Sequence, residues 1–472
     1  MVLASRFWGV AISGVVAALA PTPAFAAEAL DGTKLSLLWA VPFAGILLSI
    51  ALFPLLAPHF WHHHFGKVAG GWALLIALPM AAVFGPGFAW STIFHTLALE
   101  YVPFILLLLA LFTTAGGIVV RGNLHDTPLA NTGLLAAGTA CASVIGTTGA
   151  AMVFIRPLLR ANDDRKHNAH VVVFFIFLVA NIGGALTPLG DPPLFLGFLR
   201  GVDFFWTAKF LWKETLFAVI VLLVVFYALD SWMQRYEGDK VRDPTPDSPL
   251  HVTGLVNLAL IAVIIAAILM SASWKPGISW TVFGTKLELQ NLLRELTMIV
   301  VTIVSVAITR KDDREANGFE WGPILEVAKL FAGIFICIVP VLAMLQAGAK
   351  GPFSGLVALT SNADGTPNNI AYFWLTGILS SFLDNAPTYL VFFEMASGDP
   401  QRLMGPLAQT LAAISLGAVY MGANTYIGNA PNFMVYAIAR SSGVNMPSFF
   451  GYMLWSGAVL IPLFIVITFI FF

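Results

Sequence analysis

Charge is scarce in this chain. Of its 472 residues only 10% are Asp, Glu, Lys or Arg, against 58% hydrophobic, and the formal net charge is −1. No basic stretch is long enough to track a phosphate backbone, so a nucleic-acid partner is not expected. Cysteine is nearly missing. Cys141 and Cys337 both lie in apolar segments without CxxC or CxxH context, which argues against a disulfide framework or zinc site. Evenly spaced strand-like alternation is lacking, which argues against a lipid-facing β-barrel. No HExxH, GxSxG or Walker-type sequence occurs, so an enzyme is not expected.

Long apolar runs are present instead, and mean hydropathy is +0.85. A bilayer core of ~30 Å takes about 20 apolar residues per helix. The expected fold class is therefore an all-α polytopic membrane protein. Arg6, the run "FWGVAISGVVAALA" and an A-x-A site at Ala24-Phe25-Ala26 read as a cleavable signal over residues 1–26, with an uncleaved first helix as the alternative. Spans are expected at 36–57, 70–90, 97–120, 170–200, 206–230, 253–273, 291–309, 322–346, 406–440 and 449–472. Two apolar segments broken by small and polar residues, 132–158 and 369–396, read as re-entrant hairpins. With this layout Lys67, Arg121, Arg160, Arg165, Lys166, Arg235, Lys240, Arg242, Arg310, Lys311, Arg314 and Arg440 fall on the cytoplasmic side, as the positive-inside rule requires. The stretch "HFWHHHF", 59–65, reads as a solvated interfacial loop, because consecutive histidines do not present a tetrahedral set.

The polar segment 235–252 reads as a cytoplasmic linker between two halves, 27–234 and 253–472. Each half holds a hairpin followed by a broken span. Gly190-Asp191-Pro192-Pro193 matches Gly428-Asn429-Ala430-Pro431, and Thr147-Thr148-Gly149-Ala150 more weakly matches Asp384-Asn385-Ala386-Pro387. By the charge bias the first copy starts outside and the second inside, making them inverted repeats. Interrupted segments at matched places in inverted halves point to a transporter's binding site at the bilayer midplane.

The breaks carry chemistry. Glycine permits the turn, Asp191 has a side chain favoured at a helix N-cap, and proline suits the first helical position, where its missing N–H costs nothing. Carbonyls of Gly183, Gly184, Leu186, Thr187, Thr425 and Tyr426 are expected to be released for a cation. Two carboxylates, Asp191 and Asp384, are expected at membrane depth, ringed by Thr147, Thr148, Asn181, Thr187, Asn385, Asn424, Thr425, Asn429 and Asn432. Hard oxygen ligands suit Na⁺ or Li⁺, with Asp384 and Asp191 as the sodium ligands. A buried carboxylate can take either a proton or a cation, the basis of exchange. Glu100, Asp203, Glu214, Glu326 and Glu394 fall near span ends and read as snorkelling or surface groups.

The hairpins and broken helices, with "NIGGALTPLGDPP", "SSFLDNAPTYLVFF" and "GANTYIGNAPN", resemble the ion transporter superfamily, and within it NhaD-type sodium/proton antiporters and the related CitMHS-like citrate transporter group. The similarity runs from about residue 36 onward. It implies a scaffold and a mobile transport domain, elevator-like alternating access and a homodimer, while the signal-like N-terminus points to a bacterial-type inner membrane. No cofactor is implied, and Na⁺ or Li⁺ and H⁺ enter as cargo. Where the dicarboxylate branch carries Ser-Asn-Thr at its hairpin tips, this chain has Gly146-Thr147-Thr148 and Leu383-Asp384-Asn385. The leading expectation is a Na⁺(Li⁺)/H⁺ antiporter. The alternative is a cation-coupled carrier of citrate or another organic anion held at half-helix N-termini, with Arg156 and Arg440 close enough to assist.

Overall fold

The computed structural model describes residues 30–124, 127–236 and 248–472. The expected signal over 1–26 and most of the linker 235–252 lie outside the described residues. Among those described, nine helices are long and apolar enough to cross a membrane. An apolar chain without water nearby must pair its backbone groups internally, and the helix does so within one segment.

The first helices are α1 (Leu37–Leu56), α2 (Pro58–Phe84) and α3 (Pro86–Ala115). The histidine stretch expected as a loop belongs to α2. Pro58 sets the helix start at N1, and His63 and His64 turn their Nδ1 atoms to the carbonyls of His59 and Phe60, one turn back. α3 begins earlier than the expected 97–120 and passes through one wide turn at Leu97–Tyr101.

Two consecutive helices, α4 (Pro128–Ile145) and α5 (Thr147–Arg160), are separated by Gly146 alone, at φ 80°, and pack on each other. The expected span 170–200 is resolved into α6 (Ala169–Leu178), an irregular stretch, and α7 (Pro192–Leu199). Then come α8 (Trp212–Tyr236), α9 (Val256–Ser273), α10 (Leu289–Ile308) and α11 (Gly322–Gln346). The second half continues with α12 (Asn369–Phe382) and α13 (Asn385–Met395), which pack together, then α14 (Ala408–Met421), α15 (Ala430–Ser441) and α16 (Phe449–Phe471).

Strands are few and short. Val119–Asn123 pairs antiparallel with Ser248–Thr253, residues that the sequence assigns mainly to the linker. Thr253 also donates to Asp313, 2.7 Å away, and Arg121 pairs with the same carboxylate at 2.8 Å, so side chains anchor this ribbon.

Packing divides the helices into two groups. α2 packs on α1 and α11, and α3 and α9 pack on α10. In the other group α12 packs on α14, α7 on α13 and α5 on α15, so each short helix after a break lies against the second limb of the opposite half's helix pair. α3 meets α5, and α11 meets α13, where the groups touch. α6 is buried from His170 to Leu178 without a polar face, which fits a central rather than lipid-facing position.

Candidate functional site

Close backbone approach sets the two breaks. A Cβ on Gly190 would lie 2.1 Å from the Gly184 carbonyl oxygen, and one on Gly428 would lie 2.6 Å from that of Gly422. Only glycine fits such a crossing. Asp191 and Asn429 then occupy the N-cap positions of α7 and α15 with extended backbones, but neither side chain caps its helix. The capping expectation for Asp191 is corrected here, and the reason is local. Pro193 and Pro431 sit at the second helical position and have no N–H, while the amides of Leu194 and Asn432 are taken by the carbonyls of Asp191 and Asn429. Both side chains are left to turn toward each other. Asp384 behaves differently: Ala386 supplies an amide 3.0 Å from its Oδ1, and it caps α13.

Asp191 is 1% exposed. Its Oδ1 accepts from Asn429 Nδ2 at 3.1 Å and from the Thr147 hydroxyl at 3.2 Å, and its Oδ2 accepts from Asn385 Nδ2 at 2.7 Å. No Lys, Arg or His is among these hydrogen-bond partners. Asn429 also donates to Asn181 Oδ1 at 3.2 Å, and Asn181 donates to Asn432 Oδ1 at 2.7 Å. Asn432 in turn bonds the carbonyls of Gly422 and Thr425, so the amides form one chain reaching from one break to the other. Asn385 Oδ1 is buried and has no hydrogen-bond partner.

Asn429 follows Asp191 by 238 residues, and the same offset relates other bonds. Thr187 donates to the Ser143 carbonyl and Thr425 to that of Ser381. The Ser143 hydroxyl donates to the Gly183 carbonyl and that of Ser381 to Met421. Leu189 N donates to the Thr187 hydroxyl and Ile427 N to that of Thr425, both at 3.2 Å. Under this offset Gly146 stands opposite Asp384 and Thr147 opposite Asn385, one residue away from the match drawn above. Ser143 and Ser381, which sequence reading did not single out, are the hubs. Their equal spacing to Thr187 and Thr425 is the signal that was available.

These bonds also redistribute the eleven residues singled out from sequence. Asp191, Thr147, Asn181, Asn385, Asn429 and Asn432 form the connected network. Thr148 and Asp384 line the same cavity as Asp191. Thr187 and Thr425 spend their hydroxyls on hairpin carbonyls, and Asn424 donates to the Ser381 hydroxyl at 2.9 Å, so these three hold each break against its helix pair. Most of the expected free carbonyls are also occupied. Gly183 accepts from Ser143, Leu186 from Thr207, Thr187 from Gly190 N and Thr425 from Asn432. Buried acceptors are costly to leave unpaired, and nearby hydroxyls and amides reach them.

The cavity encloses about 100 Å³. Thr147, Asp191, Asp384 and Asn429 form its polar side, and Leu107 and Leu111 of α3 with Phe331 of α11 form its apolar wall. Four helices begin at its edge, α5 at Thr147, α7 at Pro192, α13 at Asn385 and α15 at Ala430. Each helix start carries roughly half a positive charge, so the site sets two carboxylates, Asp191 and Asp384, among several positive dipole ends.

Away from the cavity, Glu394 is 2% exposed and not a surface group as expected from its place near a span end. Arg200 ion-pairs with it and bonds Glu100 of α3 at 2.9 Å, while Gln346 at the end of α11 donates to the second Glu394 oxygen at 2.9 Å. The guanidinium draws both acids inward, which spacing along the sequence does not reveal.

Comparison with known proteins places the chain in a family. Two uncharacterized transporters, one from Mycobacterium bovis and one from Mycobacterium tuberculosis, are each 24% identical over 369 residues, 76% of this chain and 80% of theirs. The family described as "Putative citrate transport" matches residues 32–472. With nine candidate spans and a match over nearly its whole length, the chain belongs to the CitMHS_2 family of transporters and is a multi-pass membrane protein.

Proposed function

We propose that the protein is a secondary transporter that carries a citrate-class organic anion together with a cation or proton held at Asp191. The observation that supports this most directly is a buried carboxylate with three uncharged donors, at a cavity where four helices start. With Asp191 ionised, its charge offsets the positive helix ends and the site has little attraction for another anion. Loading H⁺, or Na⁺ between Asp191 and the unpaired Asn385 oxygen, neutralises the carboxylate. The starts of α5, α7 and α15 are then free to receive a substrate carboxylate, Asp384 keeping that of α13, and anion and cation bind and leave together. A volume of about 100 Å³ is room for about three waters at ~30 Å³ each, so a tricarboxylate requires the cluster to move away from α3 and α11. In this reading the cluster slides past that wall as a unit, an elevator-like step, and the two halves are inverted copies.

Counterflow of labelled citrate in proteoliposomes tests the proposal. Uptake that rises with an imposed proton or sodium gradient is expected. The second reading, a Na⁺(Li⁺)/H⁺ antiporter, is favoured by the two carboxylates lining a cavity sized for a partly hydrated ion. It gains if sodium collapses an imposed ΔpH while citrate, malate and succinate are not taken up.

A further inference from the structure

A second cavity of about 400 Å³ lies at the opposite end of α5 from Asp191. It is four times the volume of the first and falls within the ~300–1,000 Å³ usual for small-molecule sites. Its walls come from the last turns of α5, the turn that follows, and residues 442–445 after α15. Among the described residues Arg156, Arg160, Arg165 and Lys166 all line it, against one acid, Asp163. By the charge bias of the sequence this is the cytoplasmic face.

The four cations are not equally committed. Arg165 pairs with Asp230 behind the cavity wall. Arg160 bonds the carbonyls of Val120 at 2.7 Å and Gly122 at 3.3 Å, which fix its position and leave its charge uncancelled. Lys166 is exposed. The Nη1 of Arg156 is buried and has no hydrogen-bond partner. A buried guanidinium donor left unmet costs free energy, and an oxyanion is the partner its planar fork suits.

We propose that this cavity is a second anion site, which binds a multivalent oxyanion, a di- or tricarboxylate or a phosphate group, through Arg156, Arg160 and Lys166. α5 has 14 residues, so the two sites sit about 20 Å apart along one helix. The cavity's own charges make this site, whether or not the chain carries citrate.

Calorimetric titration of the purified full-length protein in detergent, with citrate and separately with inorganic phosphate, tests it. Citrate binding is expected to weaken about tenfold or more in Arg156→Gln/Lys166→Gln, to survive in Arg156→Lys, and to persist in Asp191→Asn. Persistence in Asp191→Asn separates this site from the transport pocket. A lipid source is read by native mass spectrometry after extraction from nanodiscs of phosphatidylglycerol or phosphatidylcholine. Phosphatidylglycerol retained by wild type and lost from the Arg156→Gln/Lys166→Gln variant supports the oxyanion site with a lipid headgroup as its occupant. Citrate affinity unchanged in a folded Arg156→Gln/Lys166→Gln protein, or no binding of citrate, phosphate or anionic lipid, overturns the proposal.

Discussion

Asn429 Nδ2 lies 3.1 Å from Asp191 Oδ1, so the residues at equivalent places in the two halves touch. One half contributes a carboxylate and the other an amide. The pair can therefore carry one negative charge or none, whereas two aspartates would repel and two asparagines could not titrate.

Replacing Asp191 with Asn removes the group that takes up H⁺ or a cation. Gradient-driven uptake should fall to background. Two amide donors, from Asn385 and Asn429, would also face a side chain with only one acceptor oxygen, at a cost of about 1–3 kcal/mol. Uptake assays on liposomes with matched protein content check this, and retained coupling would exclude Asp191 as the coupling site.

Asn429→Asp sets two carboxylates in contact at the same spot. They must share a proton, so neutralising the site takes a second one. Uptake by this variant should require a lower pH than wild type, by about one unit or more. A pH profile of initial rates that overlays the wild-type profile would contradict the mechanism.

Gly190→Ala drives a Cβ into the Gly184 backbone at 2.1 Å, where no side chain can move aside. The crossing must open, at a cost of about 1–3 kcal/mol or more. Gly443→Ala is a poor control despite its open surroundings, because φ there is 88°. Gly133→Ala meets nothing within 4 Å and should leave the thermal midpoint in place. Equal midpoints for all three proteins, wild type, Gly190→Ala and Gly133→Ala, would show that the crossing tolerates a methyl group.

Arg200→Gln leaves Glu394 and Glu100 without their cation. Glu394 has a side chain only 1% exposed, and stripping a buried charge of its partner costs about 3–5 kcal/mol. The thermal midpoint should drop clearly in detergent. Adding Glu394→Gln should restore part of the loss, since the uncompensated charge is then gone, and no recovery in the double variant would assign the effect to lost packing instead.

The broad plan was legible in the residues because lipid imposes simple rules. Apolar length read out the helices, and the glycines and prolines of Gly190-Asp191-Pro192-Pro193 and Gly428-Asn429-Ala430-Pro431 marked where helices restart. The histidine stretch misled because its polarity suggested a loop, while Pro58 had already started a helix. The roles of Thr187 and Thr425 were out of reach, since a threonine near a break serves equally to bind an ion or to hold a carbonyl.

By itself, then, the sequence determined the membrane class, the four interrupted places and the candidate acids, because burial cost and backbone strain act on individual residues and their neighbours. Tertiary structure alone decided that Asp191 faces Asn429, Asn385 and Thr147, that Arg200 gathers Glu100 and Glu394, and that a basic cavity forms at the far end of α5. Among those relations Asp191 and Asn429 stand 238 positions apart. A side chain's direction across such a distance is set by which helices pack together, and no local pattern encodes it.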